Sequence, residues 1–141
     1  MAANFSDYLV IFTLLAIISL AFINSLPLIY LDKNYFEDQA LLRAVQEINN
    51  AIQFVYSQPL SSLTIKIYLP QGAWIYITKN YIGLSKKIFL ELNDPNHIIK
   101  NFNGSYIFYN FNFSNTLIIN NNINYIRILC ISLGVISVAE L

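Results

Sequence analysis

Residues 8–31, from Tyr8 to Leu31, read YLVIFTLLAIISLAFINSLPLIYL and carry no charged side chain. As a helix rising 1.5 Å per residue, this stretch would extend roughly 36 Å, against a hydrocarbon core of about 30 Å in a bilayer. Apolar side chains recur at every angle, so no stripe would let the helix lie flat on a surface. Ser6 and Asp7 suit a helix N-terminus, the second electrostatically. Pro27 lacks a backbone donor and is expected to kink or end the helix, with Asn24 and Ser25 nearby. Three readings compete: a retained hydrophobic helix, a cleaved secretory signal and the buried helix of a soluble protein. A signal would need a basic start, and the first seven residues hold no Lys or Arg, although Ser19-Leu20-Ala21 has the small residues of a cleavage site. The length and evenness of the apolar run favour the retained helix, in lipid or among identical helices.

Of the 141 residues, 56% are hydrophobic and only 11% charged, with no net charge. That balance fits one small domain plus one long apolar element. Without a basic patch the chain lacks the footprint of a nucleic-acid binder. The single cysteine, Cys130, excludes an intrachain disulfide and a cysteine-based zinc site.

After the apolar run, NYFEDQALLRAVQEINNAIQFVYSQP is expected to form a second helix. Leu41, Val45, Ile48, Ile52 and Val55 share one face at a period of 3.6 residues. Asn34 with Glu37 three residues on resembles a capping box, and Pro59 marks the end. The heptad is not sustained, so the apolar face packs on a domain core rather than along a coiled-coil seam.

From Leu63 the period drops to two. Leu63, Ile65, Ile67 and Leu69 alternate with Thr64, Lys66 and Tyr68, the pattern of a half-buried strand. Pro70-Gln71-Gly72 turns the chain. AWIYIT, YIGL, KKIFLEL, SYIFYNF, NTLII, NYIRILCISL and GVISVAEL follow as further expected strands, the last pairing the C-terminus into the sheet. Short strands with regular turn signals predict an antiparallel β-sandwich-like domain. The expected fold is therefore α+β: a hydrophobic helix over 1–33 continuing into an amphipathic helix over 34–58, then a β-rich region over 62–141. Residues 34–141 form the expected extracytoplasmic domain.

Two stretches carry a family likeness. ALLRAVQEINNAIQFVYSQP followed by LTIKIYLPQGAWIYITKNYIGL resembles archaeal pilin-like and class III signal-peptide surface proteins. In those, a helix ending in Ile-x-x-Val-Tyr precedes a strand ending in Leu-Pro, here Ile52, Val55, Tyr56, Leu69 and Pro70. SDYLVIF, from Ser6, is also similar to the start of single-span archaellum-associated proteins. The likeness covers about the first 85 residues. It departs in one respect, because no Lys or Arg stands just before the apolar helix for a prepilin peptidase. The resemblance implies a cell-surface, extracytoplasmic β-domain anchored by its N-terminal helix, and no enzymatic activity.

On that basis the expected partner is a second copy of the chain, polymerised through the hydrophobic helix after residence in the membrane. Leu15, Ala16, Ile18, Ser19 and Ala21 are the expected packing positions, the small ones allowing close approach. The alternative is a permanently anchored accessory protein whose β-domain binds a surface-layer or archaellum component by an edge strand or by exposed aromatics.

Residues for chemistry are scarce. His97, the only histidine, follows the turn NDPNH and reads as a solvated loop residue. Asn93, Asp94 and Asn96 could offer oxygens to Ca²⁺, but an Asx turn is the simpler reading. No catalytic constellation, phosphate loop or metal motif stands out, and no cofactor is expected. Cys130 reads as a small buried hydrophobe. Asn-x-Ser triplets at Asn4, Asn103 and Asn112 are acceptor patterns for glycans if they face outward, with Asn103 and Asn112 in the expected outer domain. Trp74 and the tyrosines could form a carbohydrate-binding face, although aromatics also pack well in strands.

Overall fold

A computed structural model describes residues 5–141, with side chains described for 6–27 and 33–141. Among the described residues the fold is α+β, one long helix followed by nine strands. Helix α1 runs Phe5–Ser57 without interruption, 53 residues with Pro27 inside it. This corrects two expectations. Pro27 does not end the helix, and Asn34 is an interior helical residue rather than the cap of a second helix. A proline inside a helix removes its own donor and crowds the carbonyl four residues back, yet the remaining backbone bonds carry α1 past Pro27.

The chain divides into two compact units, Met1–Phe36 and Glu37–Leu141. In the second unit, Leu41, Val45, Ile48, Ile52 and Val55 are all at most 1% exposed, so the 3.6-residue stripe is the buried face of α1. Each such side chain contributes about 1.5–3 kcal/mol of transfer free energy. The helix ends at Ser57, two residues before Pro59. Leu60 turns the chain with φ 66°, and the Ser61 N–H donates to Gln58 O at 3.0 Å.

Nine strands follow: β1 Ser62–Tyr68, β2 Ile75–Thr78, β3 Tyr81–Leu84, β4 Ile99–Phe102, β5 Tyr106–Tyr109, β6 Asn112–Phe113, β7 Leu117–Ile119, β8 Ile123–Ser132 and β9 Val135–Glu140. They form a four-stranded sheet in the order β1-β8-β9-β6 and a five-stranded sheet in the order β4-β5-β3-β2-β7. All pairs are antiparallel except β6 with β9, which is parallel, so the first sheet is mixed. The C-terminal strand is paired as expected, β9 along β8, with the Leu141 N–H donating to Tyr125 O.

Alternation sets the inward faces. Ile67, Ile126, Ile128, Ile136 and Val138 from one sheet and Ile75, Ile77, Ile82, Ile107 and Ile119 from the other join the α1 stripe in one hydrophobic core. Tyr109, Phe111 and Phe113 stack within it, with centroids 4.9 Å apart for Tyr109–Phe111 and 5.1 Å for Phe111–Phe113.

KKIFLEL is not a strand, contrary to its pattern. Ile88 and Leu90 are buried while Phe89 is 97% exposed, yet the segment joins neither sheet. It alternates because one side rests on the core. The Ile88 N–H donates to Gly104 O at 2.8 Å, and the backbone of 89–93 makes no hydrogen bond to any described residue. β4 and β6 lay in Asn-bearing stretches without a period-two signal.

Candidate functional site

The most distinctive surface is the apolar part of α1. Ser6–Pro27 is long and apolar enough to cross a membrane or to act as a signal sequence, with a mean hydropathy of 2.5, and none of it is buried. Leu15, Ile17, Ile18 and Leu20 are 57–62% exposed, and Ala16, Ser19 and Ala21 are exposed beside them. The expected packing positions therefore lie on free surface, and their neighbours all round the helix are equally apolar. So large a contiguous apolar surface is unusual for a chain in water.

Three hydroxyls in this segment bond back to their own helix. Thr13 Oγ1 donates to Leu9 O at 2.7 Å, Ser19 Oγ to Leu15 O at 2.8 Å and Ser25 Oγ to Phe22 O at 2.8 Å. Such back-bonding removes the cost of carrying a hydroxyl into an apolar medium. Asn24 is the remaining polar side chain between Thr13 and Pro27 besides Ser19 and Ser25, and it is exposed.

The NDPNH turn is a structural knot. Asp94 Oδ1 accepts from the Ile98 N–H at 2.9 Å and from Gln53 Nε2 at 3.0 Å, and Asp94 Oδ2 accepts from the Ile99 N–H at 3.0 Å. Asn96 Nδ2 donates to Gln53 Oε1 at 3.0 Å. The Asp94 oxygens thus hold the loop to α1, an Asx-type arrangement tied to the helix. Desolvation raises the Asp94 pKa, but hydrogen bonds from Gln53, Ile99 and Ile98 and the charge of His97 outweigh it, so the carboxyl sits below its usual value. His97 is exposed, with φ 51°. Among the described residues no group of three or more His, Cys, Asp or Glu converges as metal ligands.

Cys130 is buried, 2% exposed, with its thiol 3.5 Å from Ser132 O. Asn103 and Asn112 are exposed. Asn103 Oδ1 accepts from the Ser105 and Tyr106 N–H groups at 3.1 and 2.9 Å, which shapes the β4–β5 turn. Asn112 begins β6. Asn4 lies outside the described residues. Trp74 is 41% exposed. Tyr76, Tyr81, Tyr106 and Phe108 stack on the outer side of the five-stranded sheet, with the Tyr106 ring over Gly83.

The first sheet ends on β1, a seven-residue edge strand. Lys66 Nζ lies 5.0 Å from the Tyr68 ring and 5.5 Å from the Tyr125 ring on its outer face. The sequence pattern identifies β1 as a strand, but an edge is created by which strands find partners, and no local residue pattern reports that.

No protein-family model matches the chain, and no curated protein or solved structure does.

Proposed function

We propose that the chain is a pilin-like structural subunit of a cell-surface filament, held in the membrane by Ser6–Pro27 before assembly. The observation that carries this reading is α1 itself: a helix whose first half is apolar and exposed on all sides and whose second half supplies a core stripe of a β-rich domain. An all-round apolar surface accepts lipid tails or identical helices equally well, so one segment serves both states. Ala16, Ser19 and Ala21 allow helices to approach closely, with Leu15 and Ile18 filling the gaps between them. The two sheets form a sandwich-like outer domain. The likeness of Ile52, Val55, Tyr56, Leu69 and Pro70 to the archaeal pilin-like pattern supports the same reading by analogy alone.

The test is to compare the sheared surface fraction with detergent-extracted membranes of the producing cells, by peptide mass spectrometry. A filament subunit is abundant in the sheared fraction. Chain confined to the membranes overturns the filament and leaves an anchored accessory protein of the surface layer or archaellum.

A further inference from the structure

Two extended backbones in this chain leave hydrogen-bonding groups unused. In β1, Leu69 N–H donates to Asn122 O at 3.0 Å and Cys130 N–H donates to Ser61 O at 3.1 Å. These bonds place the odd-numbered residues of β1 in the hydrogen-bonded pairs with β8. The N–H and C=O groups of Ser62, Thr64, Lys66 and Tyr68 therefore point to the open edge, where no strand pairs. In the 87–93 segment, Ile88 N–H is turned toward Gly104 O. Phe89, Glu91 and Asn93 then carry their backbone groups to the opposite side, and they meet no partner among the described residues.

The side chains along the two edges match in one register. An antiparallel pairing that sets Lys66 opposite Glu91 also sets Tyr68 opposite Phe89 and Thr64 opposite Asn93. All six side chains are exposed, Phe89 by 97% and Tyr68 by 55%. On the inner side the same register brings Ile65 against Leu92, both only partly covered by their own core, while Ile67 and Leu90 are already buried in theirs. An ion pair, an aromatic pair, a polar pair and one apolar pair thus coincide. Each such cross-strand pair stabilises a sheet by about 0.2–1 kcal/mol, on top of the ladder hydrogen bonds.

Among the described residues β1 pairs only with β8, and 87–93 joins no strand. We infer that β1 of one copy and residues 89–93 of a second copy pair as adjacent antiparallel strands, with Lys66 opposite Glu91. The two surfaces are different parts of the chain, so the contact is heterologous and repeats from copy to copy instead of closing on itself. This rests on the filament reading and adds to it the lateral contact between β-domains.

The experiment uses full-length chains in detergent and in the sheared fraction. One tagged chain carries Lys66→Cys and an untagged one carries Glu91→Cys, and the mixture is mildly oxidised. Hydrogen-bonded antiparallel neighbours have Cα atoms about 5.5 Å apart, within disulfide range. A tagged–untagged disulfide dimer is expected from this pair and from Thr64→Cys with Asn93→Cys. The out-of-register combination, Thr64→Cys with Glu91→Cys, is expected to give several-fold less. Equal yields, or no mixed dimer, overturn the contact. Lys66→Glu and Glu91→Lys should each weaken self-association severalfold, and the double reversal should restore it; failure to restore also overturns it. Filaments that form without the cross-link sink this contact and leave the helix-packed filament standing. Cross-linked chains confined to membranes support the contact and sink the filament.

Discussion

The Tyr109 hydroxyl donates to Asn49 Oδ1 at 3.2 Å, with both residues at most 1% exposed, so α1 and β5 are joined by a polar bond inside an apolar core. Removing the donor strands the amide oxygen without water. Tyr109→Phe is expected to lower stability by about 1–3 kcal/mol. Replacing both partners, with Asn49→Leu added, should recover part of that loss. Chemical denaturation of the two variants checks both statements.

Burial, and secondarily the Asp94 carboxylate, pushes the Tyr109 phenol far above its ordinary value of 10.0. The folded state therefore holds this proton more tightly than the unfolded state. Its contribution is complete below about pH 10 and declines as pH rises above it. Alkaline titration of the wild-type chain should show a loss of stability there, and the Tyr109→Phe variant should show a shallower one.

Asp94 runs the other way. Its carboxyl lies below the ordinary value of 3.8, so its stabilisation is present above that pH and is lost as pH falls through the lower, folded value. Asp94→Ala should cost about 1.5–3 kcal/mol and unpin the loop from Gln53. Amide hydrogen exchange at Ile98 and Ile99 is the direct readout, with faster exchange expected at both.

Gly104 has φ +86°, and a Cβ there would meet Lys87 Cγ at 2.8 Å and Ile88 O at 3.0 Å. Gly134 has φ +82° with nothing within 4 Å. Both alanine variants suffer the left-handed backbone penalty of about 1–2 kcal/mol. Only Gly104→Ala must also displace the 87–88 backbone, so its melting temperature should fall further than that of Gly134→Ala.

Ile18→Arg and Leu15→Arg place a charge in the middle of the apolar segment, at about 2.5–3.5 kcal/mol for a helix centre in a membrane. Membrane retention and sheared-fraction yield are expected to drop sharply. Circular dichroism in detergent should show the β-rich region unaltered. A normal sheared-fraction yield would count against the proposed assembly.

Where burial imposes a period, the sequence reports it. Leu41, Val45, Ile48, Ile52 and Val55 are legible as a helical stripe, and Leu63, Ile65 and Ile67 as one side of a strand. Asn34 and Glu37 misled because cap signals are local and weak, while helix propagation on both sides adds a bond per residue. Ile88, Leu90 and Leu92 misled for a different reason: a period of two reports an extended chain lying on a core, not a hydrogen-bonded neighbour. The parallel β6–β9 pair depends on segments more than twenty residues apart, Asn112 against Val135, and leaves no local trace. Asp94 was readable as a turn residue, but its bond to Gln53, 41 positions away, was not. The apolar character of 8–31 is plain from composition; the self-satisfied hydroxyls become visible only with coordinates.

Those hydroxyls have a consequence for neighbours. Because Thr13, Ser19 and Ser25 spend their protons on their own helix, the segment offers adjacent helices methyl groups and rings in nearly every direction, Asn24 apart. Such a rod presents little polar pattern, and it is thinner at Ala16, Ser19 and Ala21 than elsewhere, so size rather than polarity distinguishes one azimuth from another. Under the proposed assembly the rod would supply grip, and the β-rich residues 37–141 would add to whatever fixes the angle between copies.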